Sequence, residues 1–174
     1  MRRTSFAHMN CSIAAALDVV GDPWSLLIVR DAMYGVRRFD EFQANLGVAR
    51  NVLTARLKSL VDSGVFRRVP YRQRPVRYEY RLSDKGAALF PVIVGLKEWG
   101  DRFGPAAVDG RPMELEDAAS GGRVEPVLGD AVSGRRLDLS SVRAVAGEGA
   151  TPDTRRFFER LAFDRSAPRR AARG

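Results

Sequence analysis

Apolar side chains recur at helical spacing through the first third of the chain, in runs that end at glycines. In one of these runs Leu53, Leu57 and Leu60 are spaced to share one face, which leaves the opposite face for solvent or a ligand. Asp22 is placed to cap a helix that begins with a proline. The pattern predicts helices over Cys11–Val20, from Pro23 to before Gly35, over Arg38–Leu46 and over Arg50–Asp62.

The hydrophobic period changes from helical to alternating after Gly64. We predict a strand over Val65–Val69, a turn over Tyr71–Pro75 and a second strand over Arg77–Leu82. In the second strand alternation puts Tyr78, Tyr80 and Leu82 on one face and Arg77, Glu79 and Arg81 on the other. The segment therefore predicts a two-stranded hairpin with an arginine-rich tip.

A long helix is expected to open at Ser83, with a kink or a restart at Pro91 because proline cannot donate within a helix. Its apolar positions are Leu89, Val92, Ile93, Leu96, Trp99 and Phe103. Residues 1–104 then form the first predicted domain, and residues 105–164 a small β-rich appendage. Within the appendage we expect strands in Arg123–Leu128 and Leu137–Val145 and a helix over Asp153–Phe163, and we expect 165–174 to be a disordered basic tail.

The composition limits the classes of function that the chain can have. The net charge of the chain is +8. The segment from Arg50 to Arg81 contains nine basic and two acidic residues and therefore has a net charge of +7. Such a concentration of positive charge favours nucleic acid as the partner. One cysteine and one histidine exclude an intrachain disulfide and a zinc cluster, and no catalytic constellation or cofactor motif is present. No apolar run is long enough to span a membrane, and no secretory signal is evident, so we expect a cytoplasmic protein without enzymatic activity.

The order of these elements predicts a winged helix-turn-helix, a mainly α fold with a small β wing (α+β) followed by the β-rich appendage. The solvent face of the fourth helix offers Arg50, Asn51, Thr54 and Lys58, side chains that suit base edges in a major groove. The hairpin tip offers Arg72, Arg74 and Arg77 to phosphates or to a narrow minor groove. A winged-helix module that binds a ligand or a protein, without specific DNA readout, is the alternative.

Several motifs make the chain resemble the HxlR-type regulators. They are Cys11, Ala16–Trp24, Ser25–Asp31, Arg37–Phe42, Asn51–Leu60, Tyr78–Gly86 and the closing Trp99-Gly100, which together cover about residues 9 to 104. The resemblance implies a bacterial DNA-binding transcription regulator, usually a homodimer whose first and last helices pair across the two-fold axis. One departure is Ala49, where the family often has a serine. An alanine at this position caps the fourth helix less well than a serine would, by about 1 kcal/mol.

Residues 115–149 resemble an appendage of actinobacterial-type members in which paired cysteines form a zinc ribbon. Here Ser120-Gly121-Gly122 and Ser133-Gly134 stand where cysteines would be expected, and the segment contains no cysteine or histidine. The resemblance therefore implies a degenerate, metal-free ribbon.

Four residues are candidates for sensing an effector. Some relatives use an N-terminal cysteine to sense oxidants, and Cys11 is in position to do so; otherwise it is a small apolar residue in the dimer interface. Trp24, Trp99 and Phe103 are candidates to line a cavity for a small apolar effector, with the alternative that both tryptophans belong to the core.

Overall fold

The computed structural model describes residues 5–105 and 110–166 and confirms the predicted mixture of helices with one small hairpin. The elements that precede the long helix fall within a few residues of their predicted bounds. In chain order they are α1 Ser12–Val20, α2 Pro23–Met33, α3 Phe39–Leu46, α4 Arg50–Asp62, β1 Phe66–Gln73, β2 Val76–Leu82, α5 Asp84–Ala87, α6 Phe90–Phe103, β3 Leu115–Glu116, β4 Arg123–Val124 and α7 Pro152–Ser166.

The described residues divide into two compact units. The first contains Ser5–Phe6 and Ser12–Pro126, and the second contains Ala7–Cys11 and residues 127–166. The first unit therefore continues beyond residue 104, where the sequence places a boundary. In the second unit Asn10 Oδ1 accepts hydrogen bonds from the backbone N–H and hydroxyl groups at the start of α7, from Thr151 and Thr154.

The core of the first unit lies between α2, α3, α4 and the hairpin. The rings of Phe42 and Phe66 meet edge to face with centroids 6.4 Å apart, and Ile28 and Val29 of α2 are completely buried beside them. The remaining members of this cluster are Val20, Val48, Leu53, Leu57, Leu60 and Val65. Truncating a fully buried leucine in such a cluster costs about 2–5 kcal/mol, so this packing fixes the position of α4.

Helices α1 and α2 meet at a bend of 79°. Asp22 occupies the bend, and its Oδ1 accepts hydrogen bonds from the N–H groups of Trp24 and Ser25, which caps α2 as predicted. Within the described ranges no single helix has the length and apolarity to cross a membrane. This bent pair meets both criteria only when its two helices are joined.

The hairpin is longer than predicted and its turn is tighter. β1 extends to Gln73 and β2 begins at Val76, so only Arg74 and Pro75 remain between the strands. Pro70, expected at the margin of the turn, lies inside β1, and the pairing register shifts just after it because proline offers no N–H to the ladder.

Every residue of β2 is paired with β1, so the predicted alternation of its two faces stands. Burial does not follow these faces along the whole strand, because Glu79 is 8% exposed whereas Tyr78 is 37% exposed. Tyr80 and Leu82 pack against the core. Glu79 tolerates burial because its Oε1 accepts a hydrogen bond of 2.5 Å from Arg81 Nε.

The predicted long helix is interrupted, and the expected restart is confirmed. α5 ends at Ala87, and α6 begins at Phe90 with Pro91 in its first turn, where the missing N–H costs no intrahelical bond. Gly86 of α5 approaches the start of the hairpin so closely that a Cβ there would lie 2.3 Å from the carbonyl oxygen of Val65. Glycine is therefore required at this position of the α5 turn.

The segment after α6 contains less sheet than predicted. The only ladder in the described part of the segment is β3 with β4, plus one isolated bridge between Gly129 and Arg136. The predicted strand over Leu137–Val145 is wrong, because this stretch consists of turns and irregular backbone. The terminal helix is confirmed and runs to Ser166, into the first two residues of the predicted tail; the rest of the tail lies outside the described residues.

Aspartate-centred turns organise this segment. The carboxylates of Asp117 and Asp130 each accept hydrogen bonds from two backbone N–H groups ahead of them and from the serine hydroxyl three residues on, Ser120 and Ser133. Asp138 forms a similar turn. The first two turns, at Ser120 and Ser133, are the places where the resemblance expects zinc-binding cysteines. Their carboxylates are instead occupied by internal hydrogen bonds, and no metal-binding group of three side chains exists within the described residues.

The hydrogen bonds in these turns lower the pKa of each aspartate. For Asp130 the largest cause is the hydroxyl of Ser133, whereas for Asp117 it is the backbone N–H of Ser120. A lowered pKa in the folded state stabilises each turn above the unfolded pKa, and this contribution is lost as the pH falls through the folded pKa.

We therefore expect Ser133→Ala to raise the pKa of Asp130 more than Ser120→Ala raises the pKa of Asp117. A carboxyl-detected NMR titration of the two variants beside the unchanged chain measures both shifts. Equal shifts at the two sites would contradict the assignment of the hydroxyl as the main cause at Asp130.

Candidate nucleic-acid interface

The two faces of α4 are chemically distinct. Its inner face buries Leu53, Leu57 and Leu60 completely. The four side chains that the sequence assigns to DNA, Arg50, Asn51, Thr54 and Lys58, are all exposed. Because one face is fixed in the core, the polar face is presented in a single orientation, which is the requirement for a helix that reads a groove.

Contacts within the protein hold two of these four side chains, Arg50 and Lys58, loosely. The guanidinium of Arg50 lies 3.9 Å from Asp40 and 4.7 Å from the centre of the Phe39 ring, yet 72% of its side chain is exposed. Lys58 pairs with Asp62 one turn later. Such exposed pairs contribute about 0–1 kcal/mol, so Arg50 and Lys58 can exchange these partners for a nucleic acid at small cost.

Thr54 and Asn51 present different chemical groups on the exposed face of α4. The hydroxyl of Thr54 donates to the carbonyl oxygen of Arg50 at 2.8 Å, which leaves its methyl group directed at the surroundings. A threonine methyl suits the methyl group of thymine. The side-chain amide of Asn51 has no hydrogen-bond partner among the described residues, and it lies in the first turn of α4, where recognition helices contact base edges.

The N-terminus of α4 has no side-chain cap. Ala49 occupies the N-cap position and makes no side-chain hydrogen bond to the helix. The first backbone N–H groups of a helix have no intrahelical acceptor, and a phosphate oxygen is a suitable partner for them. The alanine that departs from the family pattern therefore leaves these donors uncovered at the edge of the candidate interface.

The hairpin tip concentrates positive charge. Arg72 and Arg77 are paired across the two strands, and Arg74 lies in the turn between them. All three are exposed, and none forms an ion pair with a carboxylate in the described part of the chain. Like charges directly opposite one another are destabilising in a sheet. A phosphate backbone at the tip relieves this repulsion.

Further contacts stiffen the hairpin and join it to the helices. The guanidinium of Arg68 lies 3.7 Å from the centre of the Tyr78 ring, and Arg38, just before α3, stacks on Tyr71. At the base, Tyr80 N–H donates to the carbonyl oxygen of Arg37, and the Ser83 hydroxyl donates to that of Gly64. The wing is therefore attached to the same body that holds α4.

Arg56 has a role that the sequence reasoning missed. Its Nε lies 3.3 Å from Oδ1 of Asp22, the residue that caps α2, and both side chains are largely buried. Arg56 thus faces α2 and ties the recognition helix to the bend between α1 and α2. Its place next to Leu57, at the border of the apolar stripe, was the available signal.

The three effector candidates of the first unit, Trp24, Trp99 and Phe103, are not brought into one site. Cys11 is exposed and precedes α1. Trp24 packs against the core. Trp99 and Phe103 touch each other on the outer side of α6, with ring centroids 5.7 Å apart. Trp99 also lines a cleft between α2 and α6 whose lining includes neither Trp24 nor Phe103.

The comparisons with known proteins agree with this geometry. A sequence model described as the HxlR-like helix-turn-helix matches residues 19–108, which is more than half of the chain. The chain belongs to the HxlR family. An uncharacterized HTH-type transcriptional regulator of Mycobacterium tuberculosis is 41% identical over 138 residues, covering 79% of this chain and 87% of the relative. The regulator YdeP of Bacillus subtilis is 33% identical over 95 residues, covering 54% and 74%.

Solved structures extend the similarity. The crystal structure of PA1607, a candidate transcription factor, has a TM-score of 0.74 at 42% identity and covers 83% of this chain and 100% of its own. The reduced form of the redox regulator HypR has a TM-score of 0.52 at 29% identity, covering 57% and 99%. This HxlR member is therefore a DNA-binding helix-turn-helix regulator of transcription, as the sequence predicts.

The Arg56–Asp22 contact gives a prediction for this HxlR regulator. Asp22→Ala removes both the cap of α2 and the ion pair, whereas Asp22→Asn keeps a capping oxygen and removes only the charge. We expect Asp22→Ala to lower the free energy of unfolding by about 1 kcal/mol more than Asp22→Asn does. Urea denaturation of the two variants measures the difference, and equal losses would show that the cap contributes nothing.

Proposed function

We propose that this HxlR regulator reads a specific operator through α4 and anchors itself through the wing. Arg50 and Asn51 in the first helical turn contact base edges, Thr54 and Lys58 extend the contact along the groove, and Arg72, Arg74 and Arg77 contact the backbone or the minor groove. The observation that supports this most is the two-faced α4, whose buried leucines leave these polar side chains exposed beside a basic hairpin. A winged-helix module that binds a ligand or a protein, without specific DNA readout, would not require a polar helix face held in one orientation.

The readout proposal separates two classes of variant. We expect Arg50→Ala and Asn51→Ala each to cost about 1–3 kcal/mol on the preferred site and to relax preference at one base position. Arg74→Ala should weaken binding to every sequence alike and reduce the salt slope by about one. Arg160→Ala, which removes the same charge from an exposed position of α7, is the matched control and should leave binding unchanged.

The measurement begins with DNA selected from a random library and with the DNA upstream of the protein's own gene. Titrations at several salt concentrations then give affinity and salt slope for each variant. Binding that is insensitive to sequence, or equal loss of specificity from Arg50→Ala and Arg74→Ala, would assign the protein to the alternative of a winged module without specific readout.

We further propose that the regulator is a homodimer on a pseudo-palindromic operator, with half-sites about one helical turn, or a multiple of it, apart. Two helices of the first unit support this because each carries a stripe of exposed apolar side chains. On α1 the stripe contains Ile13 and Leu17, and on α6 it contains Val92, Leu96, Trp99 and Phe103. Ile93, which the sequence places in the same stripe, instead packs against the core.

Charges placed in these stripes should prevent dimerisation. We expect the double variant Ile13→Asp/Phe103→Asp to sediment as a monomer because an interface would bury two unpaired carboxylates. Val132→Asp/Leu139→Asp is the control, since both side chains are more than 90% exposed in the second unit. A dimer that survives the first change, or is lost in the second, would place the interface elsewhere.

Thiol sensing through Cys11 is a second possible activity. Its exposure supports access by an oxidant or electrophile. A lone cysteine limits the product to an adduct, a mixed disulfide or a bridge between two copies of Cys11. A non-covalent effector has stronger support, because the first unit contains a cleft of suitable size.

A further inference from the structure

An open cleft of about 810 Å³ lies in the first unit between α2, α6 and the chain that follows α6. Its volume falls in the range of small-molecule sites, which is roughly 300–1,000 Å³. Most of its wall is apolar, formed by Leu26, Leu27, Ile93, Leu96, Trp99 and Met113. This surface suits an aromatic or aliphatic body.

One polar atom in this lining lacks a partner. Asp31 is 2% exposed, and both donors of Arg30 that reach it, Nε at 3.0 Å and Nη2 at 2.7 Å, bond to Oδ1. Oδ2 is buried and accepts no hydrogen bond from any described residue. A buried carboxylate oxygen without a donor is costly, so a hydrogen-bond donor from outside the described chain would stabilise Asp31.

The charges in the lining cancel. Arg30 pairs with Asp31, and Lys97 pairs with Asp101 at 2.7 Å. Burial lowers the pKa of Lys97, but its hydrogen bonds to Asp101 and Glu98 outweigh this effect and raise the pKa, so the ammonium stays charged and two of its three donors are in use. The cleft therefore has no excess charge with which to compensate an ionised ligand.

We propose that this cleft binds an uncharged aromatic molecule that carries a hydrogen-bond donor, with the donor directed to Asp31. The apolar wall holds the ring system, and the balanced charges disfavour an ionised ligand. Oδ2 of Asp31 is covered in the empty cleft, so it accepts the hydrogen bond only after the side chains around it move apart. The inference concerns ligand binding alone. It does not depend on the proposed operator readout, whereas Leu96 and Trp99 of the cleft wall also belong to the apolar stripe assigned to the proposed dimer.

The two tryptophans of the chain provide a direct readout, because Trp99 lines the cleft and Trp24 does not. The full-length protein is labelled with ¹⁵N and titrated with 2-naphthol below its ionisation pH, and the two indole N–H signals are followed by NMR. We expect the Trp99 signal to shift and saturate while the Trp24 signal stays in place. Equal shifts at both tryptophans, or no saturable shift at Trp99, would overturn the proposal.

Two analogues of the same shape test the chemistry of the ligand. 2-Methoxynaphthalene lacks the donor, so we expect it to bind roughly tenfold more weakly or worse. 2-Naphthoate has a negative charge, and we expect it also to bind more weakly than 2-naphthol. Equal affinity for the methoxy compound would refute the role of Asp31, and tighter binding of naphthoate would identify an anion site instead.

Two glycines of α6 give a matched pair of variants that preserve Asp31. Gly100 lines the cleft and Gly95 does not, and a Cβ added at either position meets no atom within 4 Å. Gly100→Leu and Gly95→Leu both improve helix propensity, so both should fold. We expect Gly100→Leu to abolish 2-naphthol binding and Gly95→Leu to retain it. The opposite pattern, or an unchanged affinity in both, would place the ligand outside the cleft.

Discussion

The packing of Leu53, Leu57 and Leu60 against Phe42, Phe66 and Ile28 is the constraint on which the rest of the first unit depends. These side chains come from α2, α3, α4 and β1, so one apolar contact joins the scaffold helices, the recognition helix and the wing. A helix buried on one face has its rotation about its own axis fixed, because any turn would expose leucines and bury charged groups. The direction of the polar face of α4 is therefore set by the burial of the opposite, leucine-bearing face in the core.

The electrostatic design follows from this packing. Positive charge is concentrated on α4 and the hairpin, and the exposed ion pairs there are weak enough to be exchanged. Two other ion pairs of this region are more buried and hold the structure together. The Arg56–Asp22 pair is largely buried and links helices, and the Arg81–Glu79 pair covers a carboxylate inside the hairpin. Basic residues of this segment thus divide into those that maintain the structure and those that are available to DNA.

Helix α6 carries two surfaces, one that lines the cleft and one that leaves an apolar stripe exposed. Ile93, Lys97 and Gly100 face the cleft that α2 also lines, and Val92, Trp99 and Phe103 leave an exposed apolar stripe. Leu96 and Trp99 belong to both surfaces. A ligand in the cleft would therefore touch the helix that we propose for dimerisation, and α2, its other wall, contacts the recognition helix. The cleft that we propose as a small-molecule site is thus lined by the helix proposed for dimerisation and by a helix that contacts α4.

Local patterns in the sequence were sufficient for the helices, the hairpin and the exposed face of α4, because helical and strand periods, proline and glycine act over a few residues. The restart at Pro91 and the cap at Asp22 belong to this group. Tertiary structure alone decided the burial of Glu79, the pairing of Arg56 with Asp22 and the unpartnered oxygen of Asp31, since each depends on residues distant in sequence. The predicted strand over Leu137–Val145 is absent, and the one over Arg123–Leu128 is reduced to Arg123–Val124. The reason is related: apolar alternation there was weak, and Asp–Ser hydrogen bonds within the turns offered the backbone a better local alternative.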